Sequence, residues 1–305
     1  MALDYEQYLS DTLKNIYFGD QYSVLREKIQ SDKELIFSVR KDQIHIYYLG
    51  GRILKITKSY NKPKLYFDKK YAKKKKRSDE LNEYSGIIAN LNSNPYDVDL
   101  WMQHFDDLKR CIKMYRYNVY PQDERKLQQE IELANKDFSR EVVVIDNEYG
   151  VREKRTKSVP LYKVDLVTLY EDNGQYKICL VELKCGDGAI DKKSGIADHI
   201  KAFKTIITTR KADIIASVNN LIEYKKSNRS LDNVPDDIIL NEDTDICASI
   251  LCYDLHNKTV AQSEIEKGKA YITENGKYEL PFKLYHNLNL SEEDCTLTKK
   301  DILAE

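Results

Sequence analysis

The first feature that suggests chemistry is an acid and a lysine within an otherwise apolar segment. Residues 178–184 read Ile-Cys-Leu-Val-Glu-Leu-Lys. The two-residue period of a β-strand puts Glu182 and Lys184 on one face of this segment, with apolar side chains on the other. A charge at the end of a buried strand costs free energy unless it is paired or binds an ion. We therefore expect both side chains to have a partner.

A second acid, Asp165, lies 17 positions before Glu182, within the apolar stretch Lys163-Val164-Asp165-Leu166-Val167. The intervening residues 171–174, Glu-Asp-Asn-Gly, predict a tight turn, so a hairpin would bring Asp165 opposite Glu182 and Lys184. Two carboxylates beside a lysine suit Mg²⁺, which binds few protein oxygens and keeps several waters. The lysine can orient or deprotonate an attacking water and offset negative charge on a phosphoryl transition state.

A third acid comes from the helix predicted over Asp123–Phe138, ahead of these strands. At about 100° per residue, Glu130 lies about 60° from the centre of the helix's apolar face, whereas Glu132 is predicted to point away. Glu130 is therefore a candidate ligand for a metal or a water, with Glu124 on the other border of that face as the alternative. The competing interpretation of Glu130 is an ordinary solvated helix residue.

The elements that must position these residues are predicted in the order helix, three strands, helix, strand. The strands are Glu141–Ile145, Leu161–Tyr170 and Gln175–Leu183, followed by one or two helices over Ile196–Tyr224 and a strand over Ala248–Tyr253, with Ala270–Thr273 and Phe282–His286 as possible additions. Together with the helix, they predict an α/β domain with an α-β-β-β-α-β core.

Asp165, the Glu182-Leu183-Lys184 triplet, the acidic helix before them and this order of elements resemble the PD-(D/E)XK nuclease superfamily over roughly residues 120–255. The resemblance implies a restriction-endonuclease-like fold, a Mg²⁺ or Mn²⁺ ion, and hydrolysis of phosphodiester bonds, most often in DNA. It implies that Asp165, Glu182 and the main-chain carbonyl of Leu183 bind the metal and that Lys184 is the catalytic lysine. Glu130 would match the acidic residue of the first core helix. The sequence departs from the motif at Val164, which replaces the proline of the superfamily name.

His199 lies near the apolar face of the helix that follows the motif. Members of this superfamily often place a polar residue from this helix near the scissile phosphate, so His199 is a candidate supporting residue behind the metal ligands. A hydrogen-bonded histidine at the border of the core is an equally good interpretation.

The charge is distributed unevenly along the chain. Residues 1–120 contain 22 Lys and Arg against 16 Asp and Glu, whereas residues 121–305 contain 27 against 34. Between Arg52 and Arg77 there are 12 basic residues and a single acid. The densest run is Lys73, Lys74, Lys75, Lys76 and Arg77. We predict that this run contacts nucleic-acid phosphates, the alternative being a lysine-rich loop that only aids solubility.

Three tyrosines are interleaved with these basic residues: Tyr60, Tyr66 and Tyr71. Tyrosine rings in a basic segment can stack on unpaired bases, and the competing interpretation is packing on a small sheet. The sequence alone leaves both open.

The amino-terminal part is predicted to be a small α+β domain over residues 1–95. After about 30 helical residues come strands at Glu34–Arg40, Gln43–Leu49, Arg52–Thr57 and Lys64–Asp68, then a helix at Ser78–Ala89. Gly50-Gly51 predicts a two-residue hairpin turn, because both turn positions need a positive φ. A connecting helix is predicted within residues 96–120, and the nuclease-like domain over residues 121–305.

Composition excludes several classes. The chain is 41% hydrophobic and 32% charged with 11 Gly and 6 Pro, which excludes collagen-like and Pro/Gly-rich disordered proteins. No apolar run is long enough to span a membrane, the amino terminus lacks an apolar signal core, and six scattered cysteines indicate reduced thiols. We therefore expect a cytoplasmic protein with no membrane partner.

The expected function is metal-dependent hydrolysis of nucleic acid, most often DNA, with RNA open. Bacterial defence or restriction is a natural role for such an enzyme. A cut through both strands requires two sites, and hence a homodimer or a partner protein. The alternative is a catalytically silent or conditionally activated nucleic-acid-binding or sensor component of a larger assembly.

Overall fold

The computed structural model describes residues 7–60, 62–72, 83–119, 124–152, 161–186, 196–253, 263 and 295–303. It shows a mixed α/β protein with two four-stranded sheets. The described residues divide into two compact units. The amino-terminal unit comprises residues 7–133 and 223–230, and the carboxy-terminal unit comprises residues 134–222 and 231–303.

The helices and strands have the following bounds. The helices are α1 Asp11–Phe18, α2 Ser23–Ser31, α3 Glu83–Ser93, α4 Val98–Gln103, α5 Phe105–Val119, α6 Glu124–Ala134, α7 Ile196–Ser227 and α8 Lys299–Ile302. The strands are β1 Ile36–Val39, β2 Ile44–Tyr48, β3 Gly51–Ser59, β4 Lys62–Tyr66, β5 Val142–Arg152, β6 Leu161–Asp172, β7 Gln175–Cys185 and β8 Ile246–Tyr253. The possible strands at Ala270–Thr273 and Phe282–His286 lie outside the described residues.

The predicted amphipathic helix of the first 30 residues is two helices, α1 and α2. The Ser10 hydroxyl caps α1 by accepting a hydrogen bond from the main-chain N–H of Leu13. Gly19, in an extended conformation, ends α1, and a short 3-10 turn leads into α2. Hydrophobic periodicity alone did not predict this break.

The amino-terminal sheet is an antiparallel meander in the order β1-β2-β3-β4. One face is apolar and buried, with Phe37, Ile46, Leu54 and Phe67 each at most 1% exposed. Helices α1, α3 and α5 all contact strands of this sheet. The period-two alternation of a half-buried strand is seen along β3 and β4, whereas β1 is buried throughout and β2 at every position except Tyr47.

The β2–β3 turn is displaced by one residue from its predicted position. Leu49 and Gly50 have φ values of 46° and 75°, and Tyr48 pairs with Gly51, which begins β3. Both main-chain polar groups of Gly50 are hydrogen-bonded to side chains. Its N–H donates to Gln129 Oε1 at 2.7 Å, and its carbonyl accepts from Arg116. Leu49 therefore takes the strained turn position that sequence reasoning gave to a glycine.

The two compact units differ in extent from the predicted domains. Helix α5 contacts β3, and its Arg116 and the Gln129 of α6 both bond to Gly50. The helices of residues 98–133 therefore belong with the first sheet, whereas a connecting helix was predicted within residues 96–120. The last residues of α7 and the turn after it also belong to the amino-terminal unit. Strand and helix patterns contain no information about which unit a helix packs against.

The carboxy-terminal unit contains the predicted succession of three strands, a helix and a strand. Its sheet has the order β5-β6-β7-β8, with the first two pairings antiparallel and β7–β8 parallel. Helix α7 provides the long crossover that parallel neighbours require. The predicted turn between β6 and β7 is confirmed, because Asn173 and Gly174 both have positive φ and Asp172 pairs with Gln175.

Helix α7 buries its apolar side chains and bends once. Ile196, Ile200 and Phe203 are each at most 2% exposed. Arg210 has the non-helical φ, ψ of −129°, 16° and pairs with Asp213 through Nη2 and Oδ2 at 2.7 Å. Where one or two helices were predicted, the structure has one continuous helix with a bend at Arg210. Among the described residues, no helix is long and apolar enough to cross a membrane.

Candidate functional site: a strand fork in the carboxy-terminal sheet

The site residues lie where two paired strands stop pairing. Among the described residues, the β6–β7 pairing runs from Asp172–Gln175 to Leu166–Val181 and ends there. Strand β6 continues to Leu161, paired with β5, and β7 continues to Cys185, paired with β8. We call this region the strand fork. Backbone groups released from a ladder in this way need other hydrogen-bond partners.

Asp165 supplies one such partner. It is the first residue of β6 beyond the last β6–β7 pair, and the same register carried one step further sets it opposite Glu182. Its Oδ2 accepts a hydrogen bond from the main-chain N–H of Leu183 at 2.7 Å. A carboxylate that accepts a backbone N–H is held in position. Asp165 therefore lies against the backbone between Glu182 and Lys184, as the hairpin argument predicted.

Glu182 and Lys184 form a buried ion pair on one face of β7. The residues are 6% and 7% exposed, and Lys184 Nζ donates to Glu182 Oε1 at 2.7 Å. Their partners in β8 are Ile250 and Cys252. Burial raises the pKa of the Cys252 thiol to about 11, and the positive charge of Lys184 acts in the opposite direction. The expectation that both charges would be partnered is confirmed.

His199, in the first turn of α7, contacts both members of this pair. Its Nε2 lies 2.9 Å from Lys184 Nζ, and its Nδ1 lies 3.3 Å from Glu182 Oε1. Since an ammonium group only donates, we assign the unprotonated nitrogen to Nε2 and the proton to Nδ1, which then faces the carboxylate. The neutral ring thus orients the lysine and the glutamate together. The helix pattern gave no information about this contact, which depends on where α7 crosses the sheet.

The environments of Glu130 and Glu132 are the reverse of those that the helical pattern predicted, since Glu130 is exposed and Glu132 is buried. Glu130 has a side chain 39% exposed and pairs with Lys126, Oε1 to Nζ, at 3.1 Å. Glu132 is 3% exposed and pairs with Lys225, itself 1% exposed. The prediction that Glu132 points away was wrong, because the last turn of α7 supplies a buried cation for it. Glu130 belongs to the amino-terminal unit and the fork residues to the carboxy-terminal unit, and its proposed role stays a prediction.

The oxygen atoms at the strand fork are chemically suited to Mg²⁺ or Mn²⁺. The carboxylates of Asp165 and Glu182 and the carbonyl of Leu183 are hard donors, which these cations prefer. Within the described ranges, no group of three or more His, Cys, Asp or Glu side chains is arranged around a common point. Mg²⁺ keeps several waters and needs only one or two carboxylates, so the donor set fits the ion.

The basic run Lys73–Arg77 lies outside the described residues. The three interleaved tyrosines have different environments. Tyr71 is 2% exposed, packs edge-on against Tyr115, and accepts a hydrogen bond from the N–H of Arg52. Tyr60 is 96% exposed, and Tyr66 is partly exposed on β4. Tyr71 is therefore a core residue, whereas the other two rings remain accessible.

Comparisons with protein-family models, with curated proteins and with solved structures find no match. What the site can do is therefore inferred from the chemistry of the side chains at the strand fork.

Proposed function

We propose that this protein is a metal-dependent nuclease that hydrolyses DNA phosphodiester bonds, with a restriction-endonuclease-like core in its carboxy-terminal unit. The observation that carries the proposal is the strand fork, where Asp165, Glu182 and Lys184 converge around one peptide unit of β7. The succession of three strands, a long helix and a fourth strand in that unit supports it. Bacterial defence or restriction is the role that the resemblance in sequence suggests for such an activity.

The roles of the residues follow from their contacts. The Lys184 ammonium, with three donor protons, orients the attacking water and stabilises negative charge that develops on the phosphoryl oxygens. His199 holds this ammonium in place through the contact of its Nε2 with Nζ. Asp165 is held by the Leu183 N–H and presents its carboxylate at the fork. Water is the proposed nucleophile, and no covalent enzyme intermediate is expected.

Asp165, Glu182 and the Leu183 carbonyl would hold the divalent ion. Bound there, Mg²⁺ or Mn²⁺ supplies Lewis-acid activation of water and of the scissile phosphate. Lys184 Nζ bonds to Glu182 Oε1 in the structure, so the same carboxylate would hold both the lysine and the ion.

The experiment compares the natural chain with Lys184→Met and Lys225→Met. The two lysines are matched, because each is buried and paired with a glutamate, Lys184 at the fork and Lys225 in the amino-terminal unit. Supercoiled plasmid, linear duplex, single-stranded DNA and RNA are incubated at low salt with EDTA, Mg²⁺ or Mn²⁺. We expect metal-dependent cleavage of DNA, a loss of about 10²–10⁴-fold in Lys184→Met, and retention in the folded fraction of Lys225→Met.

The possible outcomes separate the hypotheses. Cleavage that is equally strong in Lys184→Met contradicts the proposed site. Cleavage of RNA alone overturns the choice of substrate. If no substrate is cut although the protein binds nucleic acid, the protein is the silent or conditionally activated component, and activity should appear only with an added partner.

A further inference from the structure

The second face of the amino-terminal sheet carries a row of polar residues across all four strands, buried on β1 and β2 and partly exposed on β3 and β4. The register pairs Ser38 with His45, His45 with Lys55, and Lys55 with Tyr66. Residues directly opposite each other in a sheet point to the same face. On β4 the alternation is complete, since Lys62, Lys64 and Tyr66 are exposed or partly exposed and the residues between them are buried.

Five basic residues lie on this face, one of which is Lys62 on β4. Arg52 pairs with Tyr47 one row away from Lys55, and Lys64 pairs with Thr57 in the row on the other side. Arg40 lies two residues beyond Ser38 and therefore faces the same way. We call Arg40, Arg52, Lys55 and Lys64, with Tyr47 and Tyr66, the cationic face.

Three cations of the cationic face, those on β3 and β4, are not paired with acids among the described residues. In the part of the chain that the structure describes, Arg52, Lys55 and Lys64 form no ion pair. Asp68, the acid whose charge acts on Lys55, itself pairs with Lys70 at 3.5 Å between Oδ2 and Nζ. A concentration of positive charge of this kind costs stability in the free protein and favours binding of an anion.

Burial and the positive charges of this face act in the same direction on two titratable groups. Burial, together with the charges of Arg52, Arg40 and Lys55, lowers the pKa of His45 to about 2. Burial also lowers the pKa of Lys55, and the charges of Arg52 and Lys64 add to this effect. The cations are therefore close enough to act on one another across three strands.

Aromatic rings lie among these charges. Lys55 Nζ lies 5.0 Å from the centroid of the Tyr66 ring, and the Tyr47 ring packs edge-on against His45 at a centroid distance of 5.9 Å. Both tyrosines are partly exposed. Partly exposed tyrosines next to basic side chains are the combination that binds unpaired bases and their phosphates.

We propose that the cationic face binds single-stranded nucleic acid, with phosphates on Arg52, Lys55 and Lys64 and a base stacked on Tyr66. The proposal rests on the proposed function in one respect, the choice of nucleic acid as the ligand. It assigns binding to residues other than the run Lys73–Arg77. Single strands fit better than duplex because stacking on Tyr66 requires an unpaired base.

Binding of a fluorescently labelled single-stranded oligonucleotide is measured by anisotropy in EDTA across a salt series. The test variant is Arg52→Gln/Lys55→Gln/Lys64→Gln. The matched control, Lys33→Gln/Lys113→Gln/Arg229→Gln, removes the same charges from exposed positions of the same unit. We expect the slope of log K against log salt to decrease by about 2 in the test variant, from about 0.7 for each lost phosphate contact, and little in the control.

A second variant, Tyr66→Leu, tests the stacking and should weaken binding by about 5- to 150-fold. Thermal unfolding of each variant checks that it is folded. Equal weakening by the test and control triples, tighter binding of duplex than of single strands, or equal competition by polyglutamate would overturn the proposal. Because binding is measured in EDTA, it is independent of cleavage. A protein that binds through the cationic face without cutting any substrate contradicts only the proposed nuclease.

Discussion

Lys184 offers a test that separates stability from chemistry. Lys184→Met keeps most of the aliphatic chain but removes the ammonium, which leaves the Glu182 carboxylate only 6% exposed without its lysine. The second variant, Glu182→Gln/Lys184→Met, also removes the stranded charge. The second variant can restore the stability that Lys184→Met loses, but it cannot restore cleavage if the lysine is catalytic.

The expected loss in free energy of unfolding for Lys184→Met follows from the burial and contacts of the ion pair. Breaking a buried ion pair by removing one partner costs about 3–5 kcal/mol. Because His199 Nδ1 lies 3.3 Å from Glu182 Oε1 and keeps a polar group beside the carboxylate, we expect the low end, about 3 kcal/mol. With a urea m-value of about 3 kcal/mol/M for a unit of this size, the midpoint falls by about 1 M. The double variant should recover about 2 kcal/mol of this loss, since no charge is left buried alone.

The assay is urea unfolding at pH 7 followed by far-UV circular dichroism, with DNA cleavage measured on the same preparations. We expect the double variant to regain stability and to remain inactive, because the donor at the fork is still missing. A loss of less than about 1 kcal/mol in Lys184→Met would be typical of an exposed pair and would refute the buried pair. Cleavage by the double variant at the natural rate would refute the role of Lys184.

Three further expectations concern the amino-terminal unit, where Trp101, the only tryptophan, is 1% exposed and reports unfolding by fluorescence. Lys225→Met leaves the buried Glu132 carboxylate without its lysine. The urea midpoint followed by Trp101 fluorescence should fall by an amount that corresponds to about 3–5 kcal/mol, and an unchanged midpoint contradicts this. Burial and nearby cations lower the pKa of His45 from 6.5 to about 2, so the unfolded chain binds more protons below pH 6.5, and stability should fall by about 2 kcal/mol from pH 7 to pH 5. In His45→Gln this fall should be absent, and an identical fall would refute its origin. Glu130→Gln tests the role at the metal that the sequence predicts for Glu130, and it should lower cleavage. The urea midpoint should hardly change, because the pair of Glu130 with Lys126 is exposed. Undiminished cleavage would show that Glu130 has no part in catalysis.

Most of the elements were predictable because each depends on local pattern. Apolar segments identified β6 and β7, and residues 171–174 identified the turn between them. The displaced turn at Gly50 and the buried Glu132 were not predictable in this way. In both cases, a contact with a distant residue decided the outcome: Arg116 and Gln129 in the first, and Lys225 in the second.

The sequence by itself determined which residues share a face and how far apart along the chain the acids and the lysine lie. It thereby determined that Asp165, Glu182 and Lys184 meet at one end of a hairpin, because a tight turn sets the register of the strands it joins. Only the tertiary structure decided that the β6–β7 pairing ends there, that His199 closes the cluster from α7, and that basic residues from β3 and β4 lie on one face. These features depend on the pairing and packing of segments distant along the chain, which no local periodicity encodes.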